Sequence, residues 1–284
     1  VGAGAATNRG VRRGSLIAGV ATAALLVAAL APAAESLEFG TDRDAFTPST
    51  HAVDPGVVLA EWSYVYIDNL TGPPTNNYPE LLVRGGLNDW LEWRFGVNYG
   101  VGSQGNVVTS VEAGESPLDG STLHESSLLY GFKADVAAQQ GLLPETCFII
   151  EGATPTYGPH EGTIPVATIV SGWELPVAFP TRHRLPWRLD GAVRYAYSEG
   201  NLAWFSRWSP STVLRMPVTE RFEVHAEWFG SFTQGLSDDL HQPFFSPGFH
   251  HVFNEHFEIG LRVGWGLSYE SAPFFADTGM AWRW

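Results

Sequence analysis

The sequence predicts an all-β fold: a transmembrane, antiparallel, up-and-down β-barrel of about twelve strands. Three observations predict it. Segments of roughly ten residues alternate apolar and polar side chains along most of the chain, which is the barrel period. Beyond the amino-terminal region no stretch is apolar for long enough to span a bilayer as a helix, so a membrane protein of this sequence would cross as strands closed on themselves. The chain ends "FADTGMAWRW", with Met280, Trp282 and Trp284 on one face and Arg283 on the other. That ending looks like the terminal strand through which outer-membrane barrels are recognised by their assembly machinery.

Composition agrees. Charged residues make up 16% of the chain, below the usual quarter, while Trp reaches 11 and Gly 31; this is unusual for a cytosolic enzyme. Cys147 is the only cysteine. An intramolecular disulfide and a cysteine-based zinc site are therefore excluded, and the residue reads as a small packed side chain.

The first element is a leader. Arg9, Arg12 and Arg13 precede the apolar run "SLIAGVATAALLVAAL", and "APAAES" follows. This is the charged, apolar and small-residue order of a secretory signal peptide, expected over 1–33 with cleavage after Ala33. Its removal takes three Arg and no acid, so the formal charge goes from −14 to −17. Residues 34–56 are polar and lack periodicity; they read as a flexible periplasmic segment. The barrel is expected over 57–284.

Within it the alternation predicts strands at 57–67, 79–87, 90–100, 122–134, 142–152, 164–175, 186–197, 207–217, 221–233, 244–252, 257–267 and 275–284. In "DWLEWRFGVNYG", Leu91, Trp93, Phe95, Val97 and Tyr99 share one face, with Glu92, Arg94, Gly96 and Asn98 on the other. "RFEVHAEW" sets Phe222, Val224, Ala226 and Trp228 against Glu223, His225 and Glu227. "FEIGLRVGWGL" and "WRLDGAVRYAY" behave likewise. In lipid the greasy face points outward and the charged face inward.

The connections alternate between short and long, as in outer-membrane barrels. The short ones are at Asn88–Asp89, 218–220 and 254–256; the connection 176–185 is long for its side. The six longer loops hold no Lys or Arg. An acidic outer mouth is expected from Asp68, Glu112, Glu115, Asp119, Glu161, Glu199, Asp238, Asp239 and Glu270. Aromatic residues gather at strand ends: Trp90, Trp187, Phe222, Phe257 and Trp284 at one side, Tyr66, Tyr99, Tyr197, Trp204, Trp265 and Phe275 at the other. Such rings favour the lipid–water boundary and predict two girdles.

Charges facing lipid at the midplane would cost roughly 2–4 kcal/mol for each Arg or Lys. The candidate lumen lining is therefore Glu61, Arg84, Glu92, Arg94, Glu125, Lys133, Glu151, Glu174, Arg188, Asp190, Arg194, Arg215, Glu223, His225, Glu227, Glu258, Arg262 and Arg283. These groups either pair across strands and fill the barrel, or line a water-filled path that orients a solute. His225 and Glu227 share a strand face, but a metal site needs a third ligand, so no metal is expected. No GxSxG elbow, phosphate loop or basic patch is present; neither enzyme activity, nor a cofactor, nor nucleic acid as partner is expected.

"LLVRGGLNDWLEWRFGVNYG", "RMPVTERFEVHAEWFG", "FTPSTH", "LLYGFKADV" and "LRVGWGL" resemble the MetA-pathway-of-phenol-degradation-like outer-membrane proteins over most of 38–284. The resemblance implies an outer-membrane β-barrel with a transport role. The expectation is a monomeric channel in the bacterial outer membrane for passive uptake of small solutes, apolar or aromatic ones among them. A structural or adhesive barrel with a plugged lumen, and a barrel hydrolase, stand as alternatives. Outer-membrane lipid, a small solute and the assembly machinery are the expected partners.

Overall fold

The structure is a computed structural model and describes residues 39–43, 45–103, 106–109, 121–180 and 185–284. Twelve strands follow one another: β1 (Val58–Asp68), β2 (Thr75–Asn88), β3 (Leu91–Gly102), β4 (Leu123–Ala137), β5 (Glu145–Tyr157) and β6 (Ile164–Ala178) in the first half, then β7 (Pro186–Glu199), β8 (Trp204–Thr219), β9 (Phe222–Gln234), β10 (His241–Asn254), β11 (Phe257–Gly266) and β12 (Phe274–Arg283). Each pairs antiparallel with its neighbours in sequence, and β1 closes on β12 from Leu59 opposite Arg283 to Asp68 opposite Phe274. Closure leaves no sheet edge with unpaired backbone groups. The described residues contain no helix.

All twelve expected spans coincide with strands. Several strands run further: β2 begins at Thr75, β8 at Trp204 and β10 at His241. The extension of β2 is rich in polar residues, Thr75, Asn76 and Asn77 among them. There the ladder continues without the strict alternation that lipid on one side imposes.

Three hairpins at the end carrying the carboxy terminus have two-residue turns, 89–90, 220–221 and 255–256. In each, the residue before the turn caps it with its own side chain. Asn88 Oδ1 accepts from Trp90 N at 3.0 Å, Thr219 Oγ1 from Arg221 N at 3.2 Å and Asn254 Oδ1 from His256 N at 2.9 Å. Asn and Thr suit this i to i+2 bond, and it tightens the reversal. Pro247 in β10 has no N–H to offer β11; the neighbouring Ser246 hydroxyl donates to Val263 O at 3.0 Å instead.

Polarity is inverted relative to a soluble barrel. On β3, Glu92 and Arg94 are buried, while Phe95 and Tyr99 are exposed. Phe132, Phe148, Ile150, Ile169, Val193, Trp208 and Phe245 are likewise exposed large apolar side chains on other strands. A belt of such residues around a charged interior is stable only with lipid outside. Among the girdle residues, Trp90, Tyr99, Tyr197 and Trp284 are exposed; Trp187, Phe257, Tyr66, Trp204 and Trp265 are half-buried. Two differ: the Phe222 ring is covered by Phe249 and His251, at centroid distances of 5.6 and 6.2 Å, and Phe275, expected in the outer girdle, has the inward parity of Asp277 and is buried in the lumen with Phe229 and Phe244. The expected signal peptide, 1–33, lies outside the described residues, as do Glu112, Glu115 and Asp119.

One expectation is corrected. The segment 34–56 was expected to be flexible and periplasmic. Residues 39–43 and 45–50 are instead almost entirely buried, packed inside the barrel. Lack of periodicity reflects an element satisfied by wall side chains rather than by a ladder.

Candidate functional site in the barrel lumen

The inserted segment is a folded-back strap. Phe39 starts at the end of the barrel that carries the carboxy terminus, packed with Leu59, Val252 and Ala281, and the Arg283 guanidinium lies 4.7 Å from its ring. The chain climbs to Phe46 and Thr47. It then returns to Ala52 and Val53 and joins β1 through 54–57.

Carboxylates of the wall hold its backbone. Glu61 Oε2 accepts from Asp42 N and Arg43 N at 2.7 and 2.9 Å. Glu227 accepts from Phe46 N at 2.9 Å and Thr47 N at 2.7 Å, and from the Thr47 hydroxyl at 2.7 Å. Asp135 accepts from Ala52 N at 3.0 Å and Glu92 from Val53 N at 2.7 Å. Cations take the carbonyls: Arg84 Nη2 donates to Gly40 O at 2.5 Å and Arg215 Nη2 to Thr47 O at 3.4 Å. A buried strap without a ladder needs such partners for its peptide groups, and bonds to charged acceptors are the stronger kind.

Two side chains anchor the strap. Asp42 receives Arg94 at 2.6 Å, Lys133 at 3.3 Å and Arg84 at 3.4 Å, together with Ser49 N at 2.9 Å. Burial opposes its charge, but Arg84, Lys133 and Arg94 outweigh that and hold the carboxyl well below the usual carboxylate range. Phe46 lies against Phe229 at 4.4 Å with planes 7° apart, and the Arg194 guanidinium sits 4.4 Å from its ring centroid. Phe244 and Phe275 complete the aromatic wall.

A second insertion meets the strap from the opposite end. Residues 106–109 of the β3–β4 connection bring Val107 and Val108 into the Phe46 cluster. Arg262 Nη2 donates to Val108 O at 2.7 Å, Arg194 Nη2 to Thr109 O at 3.1 Å and the Thr109 hydroxyl to Glu80 at 3.0 Å. Beside the strap, at the end carrying the carboxy terminus, a cavity of about 590 Å³ is lined by Glu145, Arg188, Arg215, Glu223 and His250 among others. A smaller one of about 330 Å³ lies between 51–54, Asp135 and Arg283.

All eighteen candidate lumen residues are on the inward parity of their strands. Most are bound to the strap, to 106–109 or to each other. Arg84 bridges Glu61 at 2.7 Å and Glu92 at 3.3 Å; Arg94 bridges Glu92 at 2.8 Å and Glu151 at 2.6 Å. Arg262 joins Asp277 at 2.9 Å and Glu227 at 3.4 Å, and Asp190 joins Arg188 at 2.8 Å and Arg215 at 3.3 Å. His250 stands between Glu223 at 2.8 Å and Glu258 at 3.0 Å. His225 packs beside it, 6.3 Å between ring centroids, where Gly248 leaves room for the imidazole. Glu174 is exposed at the large cavity and Glu125 faces His160 at 3.7 Å.

Other inward charges were missed. Glu80, Glu145, Arg207 and Asp277 share the parity of Arg84, Glu151, Arg215 and Arg283, so alternation alone could have found them. Asp135 falls one residue past the expected end of β4. Asp42 and Arg43, which bonds Glu80 at 3.2 Å, carried no signal.

Three acids of the opposite mouth accept backbone N–H groups there, Asp239 within its own loop and Glu199 and Glu270 from a neighbouring connection or strand start. Glu199 accepts from Glu161 N at 2.9 Å and Gly162 N at 2.6 Å, Asp239 from Gly235 N at 2.9 Å and Leu236 N at 3.0 Å, and Glu270 from His241 N at 2.5 Å. Asp68 and Asp238 are exposed. Cys147 is buried with Ile149, Val170 and Ala192, its Sγ 3.8 Å from Ser49 O.

No family model and no curated protein matches the chain. Solved structures do. The COG4313 outer membrane channel from Pseudomonas putida F1 is similar at TM-score 0.58 with 12% identity, over 83% of this chain and 98% of that one. The NanC porin is similar at TM-score 0.50 with 7% identity, over 79% of this chain and 98% of that one. At such identities the likeness fixes architecture, and with the inverted polarity it makes this chain a twelve-stranded barrel of the outer-membrane type.

Proposed function

We propose that the protein is an outer-membrane channel for passive passage of small solutes that carry an aromatic ring. In the state described here the strap and residues 106–109 fill the middle of its lumen. One observation carries this reading: the slot that holds Phe46. A flat ring there is sandwiched between Phe229 and the Arg194 guanidinium, an arrangement that favours aromatic faces. Glu227 beside it accepts N–H and O–H donors. When the strap withdraws, a ring-bearing solute with an adjacent donor meets the same partners. Exposed Asp68 and Asp238 at the opposite mouth favour cations over anions in the approach. Barrel assembly through β12 and residence in the outer membrane belong to the same proposal.

The test is conductance in planar bilayers under a salt gradient, with benzylammonium as the ring-bearing probe. Cation preference and transient current block by benzylammonium, absent with an aliphatic ammonium of the same size, are expected. Anion preference, or equal block by both, would overturn the solute class. The filled lumen favours a second reading, a structural or adhesive barrel that never opens. Absence of conductance at any voltage would support that reading instead.

A further inference from the structure

The contacts of the strap have a one-sided character. Six of its backbone N–H groups, those of Asp42, Arg43, Phe46, Thr47, Ala52 and Val53, go to wall carboxylates. These bonds read main chain, whatever the side chains. Arg43 and the Thr47 hydroxyl add side-chain bonds of their own, but two features are met by the largest set of wall groups: the carboxylate of Asp42, received by three cations, and the ring of Phe46, four positions later.

We propose that the lumen is a binding site for folded-back peptide segments bearing a carboxylate four residues before an aromatic ring. Residues 39–54 are its resident ligand, and a free peptide of that chemistry can take their place. This rests on the proposed function only in requiring that the strap can leave. Glu61 and Glu227 receive consecutive N–H pairs, which a single-donor solute cannot supply. Arg84, Arg94 and Lys133 receive the acid. Phe229 and Arg194 receive the ring. The cavity of about 590 Å³ beside the strap opens on the end from which the strap enters, so a competing peptide has a vestibule to approach from.

The resident competes at an effective concentration on the order of millimolar, since it is tethered. It must therefore be weakened before a free peptide can be seen. The experiment uses the full chain carrying Phe46→Ala, and the native Cys147 as reporter, because its thiol lies behind Ser49. The probe is a synthetic peptide of residues 39–54, which contains no cysteine. At ten times its dissociation constant it is expected to slow maleimide labelling of Cys147 about tenfold. A peptide with Asp42→Ala and Phe46→Ala, or a scrambled one, is expected to leave labelling unchanged.

Equal protection by native and scrambled peptides, or none by either, overturns the proposal. Should Phe46→Ala fail to fold, Thr47→Ala, which removes the hydroxyl bonds to Ser211 and Glu227 at 2.8 and 2.7 Å, replaces it as a milder loosening. Current measured in parallel separates the two proposals. Peptide protection without any conductance sinks the channel and keeps the peptide site. Conductance without protection does the reverse.

Discussion

Truncating Phe46 to alanine should unseat the strap while leaving the barrel standing. The ring is 2% exposed, stacked on Phe229 and faced by Arg194. Removing a buried phenylalanine side chain costs about 3–5 kcal/mol, and the cationic face adds ~0.5–2 kcal/mol. The ladders of β1–β12 do not pass through Phe46, so the loss falls on docking of 39–54. Relaxation of Val107 and Val108 into the space recovers part of it. The remainder, about 3 kcal/mol, raises the undocked fraction roughly a hundredfold at 1.4 kcal/mol per decade. Cys147 reports this directly. It is the only cysteine, it faces the lumen, and Ser49 covers it. Maleimide labelling of folded protein in detergent should therefore be roughly a hundred times faster in Phe46→Ala than in wild type. Heat-modifiable migration should be the same for both. Equal labelling rates, with prompt labelling of both in denaturant, would refute the idea that the ring holds the strap.

Other perturbations follow from the same contacts. Glu227→Gln leaves a neutral side chain among three strap donors and Arg262; a loss of about 1–3 kcal/mol should accelerate Cys147 labelling less than Phe46→Ala does. The depressed Asp42 carboxyl sets an acid limit. Its contribution is complete above the ordinary carboxylate pKa and declines progressively as pH falls from there to the depressed value. Cys147 protection from a disulfide reagent active in acid should therefore survive at pH 4 in so far as Asp42 controls it. Early loss there would place the control elsewhere. Ile150 is 68% exposed on the outer face of β5, so Ile150→Arg should cost about 2–4 kcal/mol in lipid, read as a lower folded fraction in vesicles. A disulfide between Thr47→Cys and Ser211→Cys, whose native hydroxyl oxygens are 2.8 Å apart, made in a Cys147→Ser background, should abolish any opening that reductant restores; unchanged current would remove the strap from the path.

What the sequence revealed and what it hid have one cause. Lipid on the outer face forces alternation, so every strand was legible, and so was the inward direction of Glu92 and Arg94. Inside the barrel no solvent imposes a period. The strap is polar because its partners are charges, and its sequence looks like a loose tail. The numerous acids of the wall were visible as an inward set, but not what they accept. Val107 and Val108 gave no warning either, since two valines in a long polar loop are ordinary.

The balance of charge carries the argument further. A lumen kept open for ions leaves its charged groups to water. Here Arg84, Glu92, Lys133 and Glu227 are almost wholly buried, and each also bonds a group of the strap or its Asp42 anchor. Buried ions without partners are expensive, and removing one partner of a buried pair costs about 3–5 kcal/mol. If the strap left a dry lumen, Lys133 would lose both Asp42 and Ser49. Withdrawal is feasible only if water or a ligand takes the vacated positions. Opening and hydration of this lumen, or opening and ligand entry, are therefore one event. The wall carboxylates that hold the strap are the groups that would draw in what replaces it.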